Sequence, residues 1–224
     1  MTTRVLLADD QALLRGTFRL LIDSCDDLTV VAEAADGAEA VRLAKIHKPD
    51  VVVMDIRMPG TDGLSATEII CADSSLVSTR VLILTTFEND EYVARALRAG
   101  ASGFLGKHAT TDALLDAIRT VAQGDSLLSP GATKSLIAQF LAAPMVNASS
   151  PEPPAPGIAD LTNRELEVTK LAADGKSNED IARDLHLSVL TVRTHAQRAM
   201  TKLGARDRAQ LVVIAYKNRL VVTN

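Results

Sequence analysis

Cysteine is scarce. Cys25 and Cys71 are the only two in 224 residues. Both sit in apolar helical patterns, so a disulfide framework is excluded and two buried, reduced thiols are expected. Nor does any apolar run reach the roughly 20 residues of a membrane span. The first residues, MTTRVLLADD, lack the charged and apolar regions of a signal peptide. A soluble cytoplasmic protein with no membrane partner is expected. Proline is also sparse, except in one place. Five of the eight prolines fall between Pro144 and Pro156, within APMVNASSPEPPAPGIA. A stretch of Pro, Ala and Ser with little charge forms a semi-extended linker with no core of its own.

Charge divides at the same place. The chain carries a net −4, but residues 1–141 carry −6 and residues 160–224 carry +3. An acidic front and a basic back indicate two domains with different partners. The expected limits are 1–124, a helix and linker over 125–159, and 160–224.

In the front part, short apolar runs alternate with amphipathic patterns. Strands are expected at 4–8, 28–34, 51–54, 80–84 and 103–105. Helices are expected at 11–23, 36–47, 63–72, 89–99 and 111–122, with one more at 130–142. Five β-α units make an α/β fold, a doubly wound parallel sheet covered on both faces.

The run VVVM ends in Asp55, inside VVVMDIRMPGTDG. An ionised acid at the edge of an apolar core is costly unless its charge is balanced. Ligands of open α/β sheets bind at the carboxyl ends of the strands. There the chain carries Asp9 and Asp10, Asp55, Thr85 and, after the fifth strand, Lys107. Three carboxylates suit Mg²⁺, a hard ion that prefers oxygen ligands. A carboxylate in that setting can attack a phosphoryl group and become an aspartyl phosphate. Lys107 and the Thr85 hydroxyl would then meet the phosphoryl oxygens. Taken singly, each of these residues has a plainer explanation as a cap, a turn residue or a solvated charge. Their convergence on one edge is what carries the inference.

The back part reads as helices alone, at about 163–174, 178–184, 189–203 and 207–217. Thr162 and Glu165 form a capping box, and Leu161 and Leu166 are spaced as a hydrophobic staple. GKSNEDIARDLHLSVLTVRTH reads as helix, short turn, helix. On the helix from Ser188, Val192, Ala196, Ala199 and Leu203 share the core stripe. Leu190, Arg193, Thr194, Gln197, Arg198 and Thr201 face away. Such a face suits the major groove of double-stranded DNA. Lys202, Arg206 and Arg208 are expected at phosphates.

Both parts resemble known families. Residues 1–122 resemble the receiver domain of two-component response regulators, through Asp9-Asp10, MDIRMPGTDG, Thr85 after VLIL, and Lys107 in GFLGK. Residues 160–224 resemble the LuxR-type domain of the NarL/FixJ class, through LTNRELEV, GKSNEDIA, LHLSVLTVRTH, KLGARDRAQ and RLV. The resemblance implies a flavodoxin-like fold with a smaller all-α helix-turn-helix domain, and a regulator rather than an enzyme. It makes Asp55 the phosphoacceptor for a sensor histidine kinase. Mg²⁺ is held by Asp9, Asp10, Asp55 and the backbone carbonyl of Arg57, and Thr85 and Phe104 form the switch pair. It also implies base contacts from Arg193, Thr194 and Gln197, a homodimer through the last helix, and possible contact with RNA polymerase. Arg57 and Phe87 stand where this family tunes hydrolysis of the phosphoryl bond, and a long-lived phosphoryl group is expected. His108 follows Lys107 where many receivers have proline, so no cis peptide is expected there.

Two other readings are weighed against this. Phosphatases of the haloacid dehalogenase type also use a strand-end Asp, but need a second acid two residues on, where Arg57 stands. A regulator whose receiver is never phosphorylated, and binds a ligand or partner instead, usually lacks one of the acids or the Lys.

Overall fold

The computed structural model describes residues 2–86, 90–124, 157–218 and 220–221. The expected helix at 130–142, most of the linker and Phe87 lie outside them. The chain divides into two compact units, taken here one at a time.

The first unit is a five-stranded sheet. Its strands are β1 (Thr3–Ala8), β2 (Leu28–Ala34), β3 (Val51–Met54), β4 (Arg80–Thr85) and β5 (Gly103–Gly106). All pair in parallel, in the order β2-β1-β3-β4-β5. Its helices are α1 (Ala12–Asp23), α2 (Gly37–His47), α3 (Gly63–Ala72), α4 (Asp90–Arg98) and α5 (Thr111–Ala122).

Side chains on a strand alternate between faces, and β1 and β3 are apolar on both. Leu6, Ala8, Val52 and Met54 join the core made with Ala40 and Ala44 of α2, Leu64 and Ile70 of α3, and Ala96 of α4. Val5, Leu7, Val51 and Val53 join the opposite core, with Ile22 of α1 and Leu114, Leu115 and Ile118 of α5. This two-sided burial is why these strands read as continuous apolar runs. Each buried Val, Leu, Ile or Met among them contributes about 1.5–3 kcal/mol. Cys25 and Cys71 are half-buried rather than fully buried and form no disulfide; the Cys71 thiol donates to the Gly100 carbonyl at 3.3 Å.

Strand order reverses between β1 and β3, and the loops at such a point open into a crevice. The loop after β3 is held tightly. Gly63 donates its N–H to the Ile56 carbonyl at 2.9 Å. A Cβ at position 63 would collide with the Asp55 carbonyl oxygen. Gly37 donates to the Thr61 carbonyl at 3.0 Å, and a Cβ there would also collide with its partner. Asp62 caps α3 by accepting from the Ser65 N–H at 2.7 Å.

The second unit contains α6 (Asn163–Ala173), α7 (Asn178–Leu185), α8 (Val189–Leu203) and α9 (Arg208–Lys217). The capping box at Thr162 and Glu165 forms as expected. Ile181 and Ala182 of α7 pack with Val192 and Ala196 of α8, joined by Leu185. His186 ends α7 at φ 53, so the chain turns sharply into α8. Among the described residues, no helix is long and apolar enough to cross a membrane.

Replacing Gly63 by Ala should destabilise the first unit by about 1–3 kcal/mol, because the new methyl has no room and the Asp55 backbone must move. Urea denaturation of the full chain, compared with Gly16→Ala, where a Cβ meets nothing within 4 Å, checks this.

Candidate functional site: an acidic pocket and an exposed helix face

Sheet register assembles the pocket. Ala8 pairs with Met54, so Asp9 and Asp55 leave neighbouring strands side by side. Thr85 pairs with Gly106, and the Lys107 N–H continues the ladder to the Thr85 carbonyl at 2.8 Å. Lys107 is thereby aimed back across the strand ends. Its Nζ lies 2.6 Å from Asp9 Oδ2 and 3.0 Å from Asp55 Oδ2, with all three side chains nearly buried. One ammonium therefore bridges two carboxylates.

Each acid is also oriented by backbone. Asp9 Oδ1 accepts from the Gln11 N–H at 2.9 Å, and Asp55 Oδ1 from the Ile56 N–H at 2.8 Å. Asp10 is exposed at the pocket mouth. The ligand oxygens of Asp9, Asp10 and Asp55 lie within 4.8 Å of one another, close enough to share one cation. Two buried carboxylates, one exposed one and no competing nitrogen or sulfur ligand in the group fit a hard oxygen-preferring ion.

Burial pushes the Asp55 carboxyl above the ordinary carboxylate range, and the neighbouring Asp9 adds to this. The ammonium of Lys107 opposes both. For Lys107, burial alone would lower its pKa, but hydrogen bonds to Asp9 and Asp55 leave it raised. It stays charged where the acids need it.

Thr85 is fully buried at the end of β4. Phe104 is half-buried and packs against the core on the α2–α4 side. Arg57 is exposed. His108 is exposed too, and the described residues contain no cis peptide. One further residue was missed in the sequence: Arg15 donates to the Asp9 carbonyl at 2.6 Å and lies 3.6 Å from Glu33. Its spacing on α1 resembles that of any surface arginine, so no local signal marked it.

On α8, Leu190, Arg193, Thr194, Gln197, Arg198 and Thr201 are exposed, and Val192, Ala196, Ala199 and Leu203 are buried. The Thr194 hydroxyl donates to the Leu190 carbonyl at 2.9 Å. Its proton is thus used, and the oxygen presents lone pairs outward. His195 is half-buried with its Nδ1 shielded, as a packing group would be.

Two of the residues expected at phosphates also have partners within their own domain. Lys202 Nζ lies 2.7 Å from Glu165 Oε2 and 2.9 Å from the Asp160 carbonyl. Its charge closes the α6 cap. Arg208 donates to Asn178 Oδ1 at 2.6 Å and to the Lys176 carbonyl. Arg208 is half-buried, while Lys202 stays exposed beside these bonds. Arg206 is half-buried. On the last helix, α9, Leu211, Val212 and Val213 are buried, while Gln210, Ile214 and Lys217 form a less covered stripe at i, i+4 and i+7.

A crevice of acids at the switch point of a parallel sheet, followed by a helix-turn-helix with a polar outer face, defines a regulator that couples a signal-receiving domain to DNA. Residues 5–119 match the response regulator receiver domain, and residues 159–215 match the luxR family of bacterial regulatory proteins. The chain is 42% identical over 97% of its length to the transcriptional regulatory protein YxjL of Bacillus subtilis, covering 97% of that protein. It is 39% identical to the oxygen regulatory protein NreC of Staphylococcus carnosus, over 97% of this chain and 99% of that one. A LuxR-family response regulator structure from Aurantimonas sp. SI85-9A1 superposes with a TM-score of 0.57 at 35% identity, over 63% of this chain and 99% of that one. The receiver domain of NarL from Mycobacterium tuberculosis gives 0.52 at 36% identity, over 55% and 98%. The chain belongs to the response regulators of the NarL/FixJ class.

Two outcomes follow from these charges. Lys107→Ala removes the cation that opposes burial, so the Asp55 carboxyl should titrate at higher pH than in wild type, as followed by carboxyl-carbon NMR. In the second unit, Lys202 first, and then the Thr162 N–H, hold Glu165 down at about 2, from an ordinary 4.5. A lowered carboxylate stabilises the fold above its unfolded value and loses that contribution as pH falls through the folded one. Protection of the Thr162 and Glu165 amides, as exchange rate relative to the unfolded chain at the same pH, should therefore fall between pH 4.5 and about 2, and Lys202→Ala should move that onset upward.

Proposed function

We propose that Asp55 is the phosphoacceptor of a sensor histidine kinase, and that its phosphorylation controls dimerisation and sequence-specific binding to double-stranded DNA. The observation that carries this is the Lys107 bridge between two buried acids, with a third acid at the mouth. A structural ion pair needs one carboxylate. Three around one lysine hold surplus negative charge, which suits a site built to take a cation and then a phosphoryl group.

Asp9, Asp10, Asp55 and the Arg57 carbonyl would hold Mg²⁺, and the ion would supply positive charge to offset that of a phosphoryl group. The ionised Asp55 attacks phosphorus. A P–O bond forms as the P–N bond to the kinase histidine breaks. Lys107, already in contact with Asp55, pairs with a phosphoryl oxygen, and the Thr85 hydroxyl hydrogen-bonds another. As Thr85 moves toward the phosphate, Phe104 turns into the space behind it. A local charge change thereby biases a two-state surface. The cytoplasm, where such kinases present their phosphohistidine, is the compartment this requires.

The domains run over 1–124 and 160–224, joined by 125–159. In the second, Arg193, Thr194 and Gln197 read base edges, Arg198 lies on the same face, and Arg206 meets phosphate. A dimer through α9 would use its less covered stripe of Gln210, Ile214 and Lys217. Contact with RNA polymerase follows once the protein is on DNA.

Incubation with acetyl phosphate and Mg²⁺ should add one phosphoryl group to wild type by intact mass and shift gel filtration toward a dimer. Asp55→Asn should do neither. An unmodified wild-type protein would refute the reading.

A further inference from the structure

Among the described residues of the second unit, one large apolar side chain stands in solvent. Leu190 is 74% exposed. Its neighbours behave differently. Leu187 and Val189 both pack against the core of that unit. Leu190 follows them by one step, which turns it about 100° away from that core. Leaving a leucine there gains nothing for folding.

Its position is informative. Ser188 caps α8 by accepting from the Thr191 N–H at 3.1 Å, so Leu190 lies in the first turn. The first turn of a recognition helix is the part that meets base edges. Leu190, Arg193, Thr194 and Gln197 stand at i, i+3, i+4 and i+7, a single exposed stripe. The other three are polar and address donors and acceptors. Hydrogen bonding offers a leucine nothing on a base edge. The major groove displays one apolar group, the C5-methyl of thymine.

We infer that Leu190 is a specificity-determining residue that reads a thymine methyl in the DNA site. This rests on the reading of α8 as the groove-entering helix. The contact adds a thymine preference at a position that the arginine and glutamine do not address. It also accounts for an exposed leucine that the core does not use.

The test separates the methyl from every other feature of the base. A binding site is first selected from random duplexes with the phosphorylated full-length protein. Each thymine of that site is then replaced by deoxyuridine, which keeps the pairing edge and removes only the methyl. Wild type should weaken about fourfold for one thymine in each half-site, the loss expected for one apolar carbon contact. Leu190→Ala should bind the unmodified site about fourfold or more weakly and should show no further loss with deoxyuridine at that position. Leu190→Met, which keeps an apolar end, should retain the sensitivity. The inference is overturned if no thymine methyl matters to wild type, or if Leu190→Ala keeps the full deoxyuridine effect. If wild type selects no sequence at all, the reading of α8 fails with it. That result differs from selective binding without a methyl effect, which removes only the role of Leu190.

Discussion

The first domain is organised around one charge problem. Parallel packing makes β3 apolar on both faces, yet its next residue, Asp55, must face the crevice as an anion. Asp9, at the end of β1, adds a second buried negative charge beside it. Lys107 makes both tolerable by touching each of them. That solution constrains much else. β5 must end where the Lys107 N–H can bond to the Thr85 carbonyl. Gly63 must lack a side chain so that the loop can fold against the Asp55 backbone. The result is a balanced but strained electrostatic state, with burial raising the Asp55 pKa and one cation holding it back. Any ligand that brings or withdraws charge at this edge changes the balance for all three residues.

The second domain sorts its cations by a different rule. Lys202 and Arg208 serve the fold: one completes the cap on α6, and the other ties α9 to the start of α7. The outer face of α8 is exposed and includes a threonine whose own proton is spent on the helix backbone. Part of the positive charge in this half of the chain is therefore engaged within the domain. Counting lysines and arginines says that a polyanion is a suitable partner. Which of them can reach it depends on where the acids of the same domain lie.

Much of this architecture was legible beforehand because it follows local rules. The five strands and nine described helices fall within a residue or so of the expected limits. Apolar period separates strand from helix, and Thr162, Ser188, Gly204 and His186 mark ends through capping and turn chemistry. The convergence of Asp9, Asp10, Asp55 and Lys107 was also legible, since strand-end residues of a parallel sheet share one edge. Other features were not. Arg15 reaches the Asp9 carbonyl from the next helix, and Lys202 reaches Glu165 across 37 residues. No pattern of neighbouring residues encodes either pairing.

Sequence alone determined the kind of protein this is: an α/β receiver of acids and one lysine, a linker, and a helix-turn-helix of the LuxR type. Spacing and residue type suffice for that, because secondary structure and strand-end chemistry depend on short-range order. The tertiary structure decided which charges are partnered. It gave Lys107 to two acids at once and tied Lys202 and Arg208 to partners in their own domain. It also enclosed Leu211, Val212 and Val213 and left Leu190 in solvent. The reason is physical. The strength of an ion pair, and the cost of exposing an apolar group, depend on distance and burial in three dimensions, and the packing of distant segments sets both.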